Sequence, residues 1–164
     1  MKPWLALALV VTLAACASGC GYHAGSLVPS GIRTIHVPMF DNLTFRRGLE
    51  SRLTEAIQQE ILHRTHLKIV PADEADTILT GAISDFQGSL VVRDVTFRVI
   101  VEDVKIYINF KWTDRRTGRI LAEGNNVSRT VRLYATRGET VGSSTTESFR
   151  WLAEDVVDRM EGGW

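Results

Sequence analysis

Cysteine is nearly absent from this chain. Cys16 and Cys20, both within LAACASGCGYHAG, are the only two among 164 residues. Two thiols cannot build a disulfide framework. Spaced four apart behind an apolar run, they leave a redox pair, half of a metal site, a single disulfide or a targeting signal to be considered. An excess of one charge is missing too, since 19 Lys and Arg balance 19 Asp and Glu. No overall basic surplus therefore argues for nucleic acid as a partner. Long apolar runs are equally scarce. Mean hydropathy is +0.00, which excludes a polytopic membrane protein, and the one apolar run, Trp4 to Ala15, falls short of the ~20 residues that a transmembrane helix needs.

That run does suit the hydrophobic region of a signal peptide, with Lys2 supplying the positive end. The residues just behind the run define the type of signal. Lipoprotein signals end in an aliphatic residue, two small residues and the cysteine that takes a diacylglycerol thioether. Leu13-Ala14-Ala15-Cys16 has all four features, whereas Ala17-Ser18-Gly19-Cys20 has alanine in the aliphatic position. An ordinary secretory signal with incidental cysteines is the blander alternative. Beyond the signal, Cys20 to Gly31 is small, Gly-rich and broken by Pro29-Ser30-Gly31, the composition of a short tether. Neither Ala17 nor Gly21 is the aspartate that often retains a lipoprotein at the inner membrane, so an outer-membrane destination is expected.

The remaining chain predicts one domain over 32–164, with enough apolar material (45% of all residues) for a single core. Ile32 to Phe40 alternates as a strand stopped by Pro38 and an Asp41-Asn42 turn. Leu49, Leu53, Ile57 and Ile61 then recur at helical spacing, with Ala56 alongside and charged residues opposite. Leu67 to Val70 reads as a short strand ended by Pro71, and Leu79, Gly81 and Ile83 alternate in another. The clearest period of two runs from Val104 to Trp112, succeeded by the polar hairpin TDRRTGR and a returning strand, ILAEGNNVSRTVRLY. Ser144 to Glu147 has the form of a capping box opening a last helix, whose apolar face would be Phe149, Leu152, Ala153, Val156 and Met160. The expected fold is α+β, with two helices packed on one face of a mostly antiparallel or mixed β-sheet.

Few residues suggest catalysis, and no enzyme is predicted. There is no Gly-x-Ser-x-Gly elbow, and GETVG lacks the lysine of a phosphate loop. His63 and His66 are read as solvated helix-end residues rather than metal ligands, and Asp73, Glu74 and Asp76 as a polar turn. No metal and no cofactor is expected beyond a covalent N-terminal diacylglycerol and acyl lipid. Two Asn-x-Ser/Thr triplets, at Asn42 and Asn126, carry no meaning behind a bacterial signal. Arginine is the less bland feature. Arg115, Arg116 and Arg119 crowd the hairpin tip, and Arg129, Arg132 and Arg137 come after it. The tip is either a solvated turn protecting a sheet edge or a candidate anion contact, since guanidinium forks suit phosphate. Trp112 beside it either rests on acyl or sugar surface or ends the core.

Cys20-Gly21-Tyr22-His23, then IRTIHVPMFDN, then RGLESRLTEAIQQEIL, with ADTILTGAI later, together resemble the lipopolysaccharide-assembly lipoprotein family, LptE. The likeness covers essentially the whole mature chain. It implies an outer-membrane lipoprotein facing the periplasm that plugs an LptD-like β-barrel, helps it assemble and contacts lipopolysaccharide in transit. Arg115, Arg116 and Arg119 as the lipopolysaccharide contact are a reading of this chain alone, because the family offers no fixed motif to carry over. By the resemblance the anchor is Cys20, which gives a signal over 1–19 and a tether over 20–31. By the form of the cleavage site it is Cys16, with the signal over 1–15. The rival resemblance, carried by a strand ending in Pro-x-Phe-Asp-Asn before a helix, is to periplasmic adaptor lipoproteins that activate peptidoglycan synthases or form curli-type secretion complexes.

Overall fold

The computed structural model describes residues 28, 31–93, 99–134 and 141–162. Both cysteines, most of the tether and Arg137 lie outside them. Within the described residues, six strands and two helices succeed one another in the order β1 (Thr34–His36), β2 (Asp41–Asn42), α1 (Leu49–Arg64), β3 (Lys68–Ile69), β4 (Thr77–Arg93), β5 (Val99–Asp114), β6 (Ile120–Tyr134) and α2 (Val141–Gly162). The sheet order is β3-β1-β4-β5-β6, with β2 also on β4. The short strands pair in parallel, and the three long ones form antiparallel ladders. The expected α+β layer with a mixed sheet is what the chain forms.

One face of the sheet is apolar because β5 alternates. Val104, Ile106, Ile108, Phe110 and Trp112 are buried, while Lys105, Tyr107, Asn109 and Lys111 between them are partly or fully exposed. Both helices lie on the apolar face. Helix α1 packs against β2, β3 and β4, α2 packs against β5 and β6, and the helices touch each other. Leu49, Leu53, Ile57 and Ile61 of α1 meet Phe149, Leu152, Ala153, Val156, Val157 and Met160 of α2 in a continuous core. Val28, within the expected tether, is already buried against it.

The helices run side by side in the same direction. Near their N-terminal ends Arg52 donates to Thr146 Oγ1. At their C-terminal ends Arg64 reaches Asp158 at 2.7 Å and Glu161 at 2.5 Å. This places two helix C-termini, each with partial negative charge, beside three carboxylates, since Glu60 is 3.7 Å from the same guanidinium.

Several local expectations need correction. The β1 ladder is only Thr34–His36, because Pro38 has no N–H to extend it. Asp41 and Asn42, read as a turn, instead pair with Ala82 and Ile83, and Leu43 N donates to Ile83 O at 3.0 Å. Asn42 organises the loop between β2 and α1. Its amide donates to Arg46 O (2.6 Å) and Glu50 Oε2 (2.8 Å), and its Oδ1 accepts from Thr44 N and Oγ1. Strand β4 continues to Arg93 through a register shift between Ile83 and Asp85. Finally, the described part of α2 begins at Val141, so Ser144 stands within the helix.

Candidate anion-binding site

The β5–β6 hairpin is built by its own residues. Asp114 Oδ1 accepts from the backbone N–H groups of Arg116 and Thr117 at 2.9 Å each. Gly118 N donates to Asp114 O at 2.8 Å. Gly118 has φ +70°, a conformation costly to any residue with a side chain. Arg119 N donates to Thr117 Oγ1 at 3.3 Å, closing the turn.

Two other segments are stitched to this hairpin. Arg115 N donates to Asp76 O at 2.9 Å and Arg115 Nη1 to Asp73 O at 2.7 Å. Asp76 Oδ2 in turn accepts from Arg33 N and Thr34 N, both at 2.9 Å, and Asp76 N donates to Thr34 Oγ1 at 2.8 Å. The acidic run Asp73-Glu74-Ala75-Asp76 is thus a turn holding β1 and the hairpin together. No group of three His, Cys, Asp or Glu able to hold a metal occurs among the described residues.

These three segments enclose a cavity of 580 Å³ lined by Gly31, Ile32, Ala75, Asp76, Asp114, Arg115, Arg116 and Arg119. All three arginines named from the sequence therefore face one cavity, but they are not equivalent. Arg115 is committed to Asp73 O. The guanidinium groups of Arg116 and Arg119 are exposed, and the charge of Arg116 acts on the Asp114 carboxylate, helping to lower its pKa. Of the two lining carboxylates, Asp76 is exposed and Asp114 half-buried. Backbone N–H donors, from Arg33 first for Asp76 and from Thr117 first for Asp114, hold both below the usual Asp range. Both therefore stay ionised beside the arginines, and an anion held by the Arg116 and Arg119 forks has to compete with them.

The rest of the arginine series is carried away from the tip. Arg129 sits opposite Ile106 and chelates the Asp155 carboxylate of α2, with Nε at 2.7 Å. Arg132 pairs with Asp103 at 2.8 and 3.0 Å, and this holds the Asp103 carboxyl below its usual range. Trp112 is fully buried, so it ends the core and offers no contact surface. The residues that sequence reading missed are Gly31, Ile32, Asp76 and Asp114. Only Asp114 left a local signal, an aspartate opening a turn that closes on glycine.

No curated protein matches the sequence. Solved structures do match the fold. A hypothetical protein from Chlamydia trachomatis shares 9% identity, with 80% of this chain and 96% of that one covered at a TM-score of 0.57. Uncharacterized lipoprotein B from Nitrosomonas europaea shares 10% over 85% and 88%, at 0.55. PelC from Paraburkholderia phytofirmans, solved as a dodecamer, shares 12% over 76% and 89%, at 0.52. At such identities the likeness is one of architecture. The sequence itself carries the closer relation: the family model described as LptE, lipopolysaccharide-assembly, matches residues 32–161, a span holding all of the described strands and all of α2 but its last residue, and the chain belongs to that family.

Proposed function

We propose that the chain is an outer-membrane lipoprotein, made with a signal over residues 1–19, acylated at Cys20 and facing the periplasm. Cys16 is the alternative anchor, with a signal over 1–15. A tether over 20–31 joins the anchor to a single domain over 32–164. That domain plugs an LptD-like β-barrel and helps it assemble. It assists lipopolysaccharide transport to the surface, contacting the phosphate of the cargo at Arg115, Arg116 and Arg119. The role is one of binding and assembly, not catalysis. The single observation that carries this reading is the LptE match across residues 32–161. The three arginines at the hairpin cavity, which two aspartates also line, supply guanidinium forks suited to phosphate.

Pull-down of the acylated protein from detergent-solubilised outer membranes tests the reading. A large outer-membrane β-barrel is the expected partner, and recovery of a peptidoglycan synthase in its place overturns it in favour of the adaptor class. Unchanged lipopolysaccharide binding by R115A/R116A/R119A overturns the hairpin as the contact. Intact mass of the mature, delipidated protein decides between Cys20 and Cys16.

A further inference from the structure

The root of the tether and the arginine hairpin share one cavity. Gly31 and Ile32 line it together with Arg116 and Arg119, and Val28 just before them is fixed in the core. Val28 lies eight positions after Cys20 and twelve after Cys16. At most ~3.6 Å per residue, the anchor therefore lies within roughly 30 or 43 Å of this pole. The N-terminal turns of α1 and α2 meet at the opposite pole, at Arg52 and Thr146, so the chain enters the domain at the pole that carries the arginines.

From this arrangement we infer that Arg116 and Arg119 clamp a phosphate-bearing lipid head group in the same leaflet that holds the chain's acyl anchor. The inference rests on the proposed acylation and adds a second point of membrane attachment. Arg115 gives one of its N–H donors to Asp73 O, which holds it beside the other two. Gly118 and the Asp114 carboxylate shape the turn that carries the Arg116 and Arg119 forks. Taken alone, two exposed arginines bind phosphate weakly. Tethering changes this, because an intramolecular contact works at an effective concentration in the millimolar range. Anchor and clamp together orient the domain, with the C-terminal ends of α1 and α2 toward the leaflet and their N-terminal ends away from it. A phosphatidylglycerol phosphodiester and a lipid A phosphomonoester offer the same oxygen geometry to these forks.

The test uses the mature acylated protein in vesicles, carrying a nitroxide at Ile120→Cys beside the hairpin. Whichever of Cys16 and Cys20 bears no lipid is replaced by serine. The readout is the depth of the nitroxide relative to the head groups. Vesicles of phosphatidylcholine alone are compared with vesicles containing phosphatidylglycerol or lipid A at equal charge. Both anionic surfaces should draw the label into the head-group layer, and inorganic phosphate should release it more than chloride does at equal ionic strength. Capture by one anionic surface alone identifies that lipid as the source of the phosphate. R116A/R119A should weaken the captured state by roughly 30-fold, the effect of two basic groups at an anionic surface. R47A/R150A, which removes the same charge elsewhere, should leave it intact. The inference is overturned if the label sits at the same depth on all three surfaces, or if the control variant loses as much as R116A/R119A. Failure of the acylated protein to remain on any vesicle would count instead against the anchor itself.

Discussion

The ring of Phe40 fills the space that any side chain at position 81 would occupy. Gly81 faces Phe110 across the β4–β5 ladder, and a Cβ added there would meet the Phe40 ring and lie 2.5 Å from Asn109 O. Alanine at this site forces a ring or a backbone carbonyl to move. G81A should cost about 2 kcal/mol, within the usual range for overpacking. F40A should cost about 3–5 kcal/mol as a large-to-small change in a core. Because the two residues share one space, G81A/F40A should lose less than the sum, and denaturant unfolding of the four proteins measures the coupling.

Arg64 is the clasp between the helix C-termini, and its pKa is raised first by the hydrogen bond to Asp158. R64A should lower stability by about 1 kcal/mol, the scale of an ion pair near the surface. R64K should recover less than half of that, since one ammonium cannot span Asp158 and Glu161 as the planar fork does. Urea midpoints at low salt and at about 0.5 M NaCl check this, and the gap between wild type and R64A should narrow with salt.

Acid should destabilise the fold in a defined window. Asp76, Asp103 and Asp114 are held below 3.8, and Glu50, which accepts from backbone N–H groups and Asn42, below 4.5. A carboxyl with a lowered folded pKa contributes its full stability above the unfolded value. That contribution is lost as pH falls through the folded value. Thermal midpoints should therefore be level from neutral pH down to about 5 and fall below about 4. D76N and E50Q should each flatten the fall.

Asn42 uses its whole amide on the loop before α1, so N42A should cost about 1–2 kcal/mol through the polar groups it leaves unpaired. N42D should be worse at neutral pH, because it would set a second carboxylate where the amide now meets Glu50 at 2.8 Å. Comparing the two variants at pH 7 and pH 4 checks the cause, since protonation should close the difference between them.

How far the fold could be read in advance depended on whether the pattern stayed regular. Helix α1 and strand β5 were legible because their periods run without a break. Strand β4 was legible only to Ile83, since the register shift there puts Phe86, not Asp85, on the face of Ile106. Strand β2 was hidden, because Asp41-Asn42 has the composition of a turn and pairs only when β4 lies beside it. At the cavity, the sequence put Arg115, Arg116 and Arg119 together because a hairpin keeps its neighbours close. Arg129 was read on the returning strand after the tip, but its pairing with Asp155 of α2 could not be read from the sequence. Gly31, Ile32 and Asp76 come from segments about forty residues or more upstream, and only tertiary structure brings them to the tip.

The partnership of α1 and α2 spans a long stretch of chain, with Arg64 meeting Asp158 across 94 positions. Synthesis from the N-terminus delivers the six strands before the second helix exists. Until then the Val104 to Trp112 stripe has no lid over its β5–β6 half. Non-local contacts of this kind, between α1 and α2, are the ones that slow folding. The core of the native domain is therefore complete only once α2, whose described part begins at Val141, has been made.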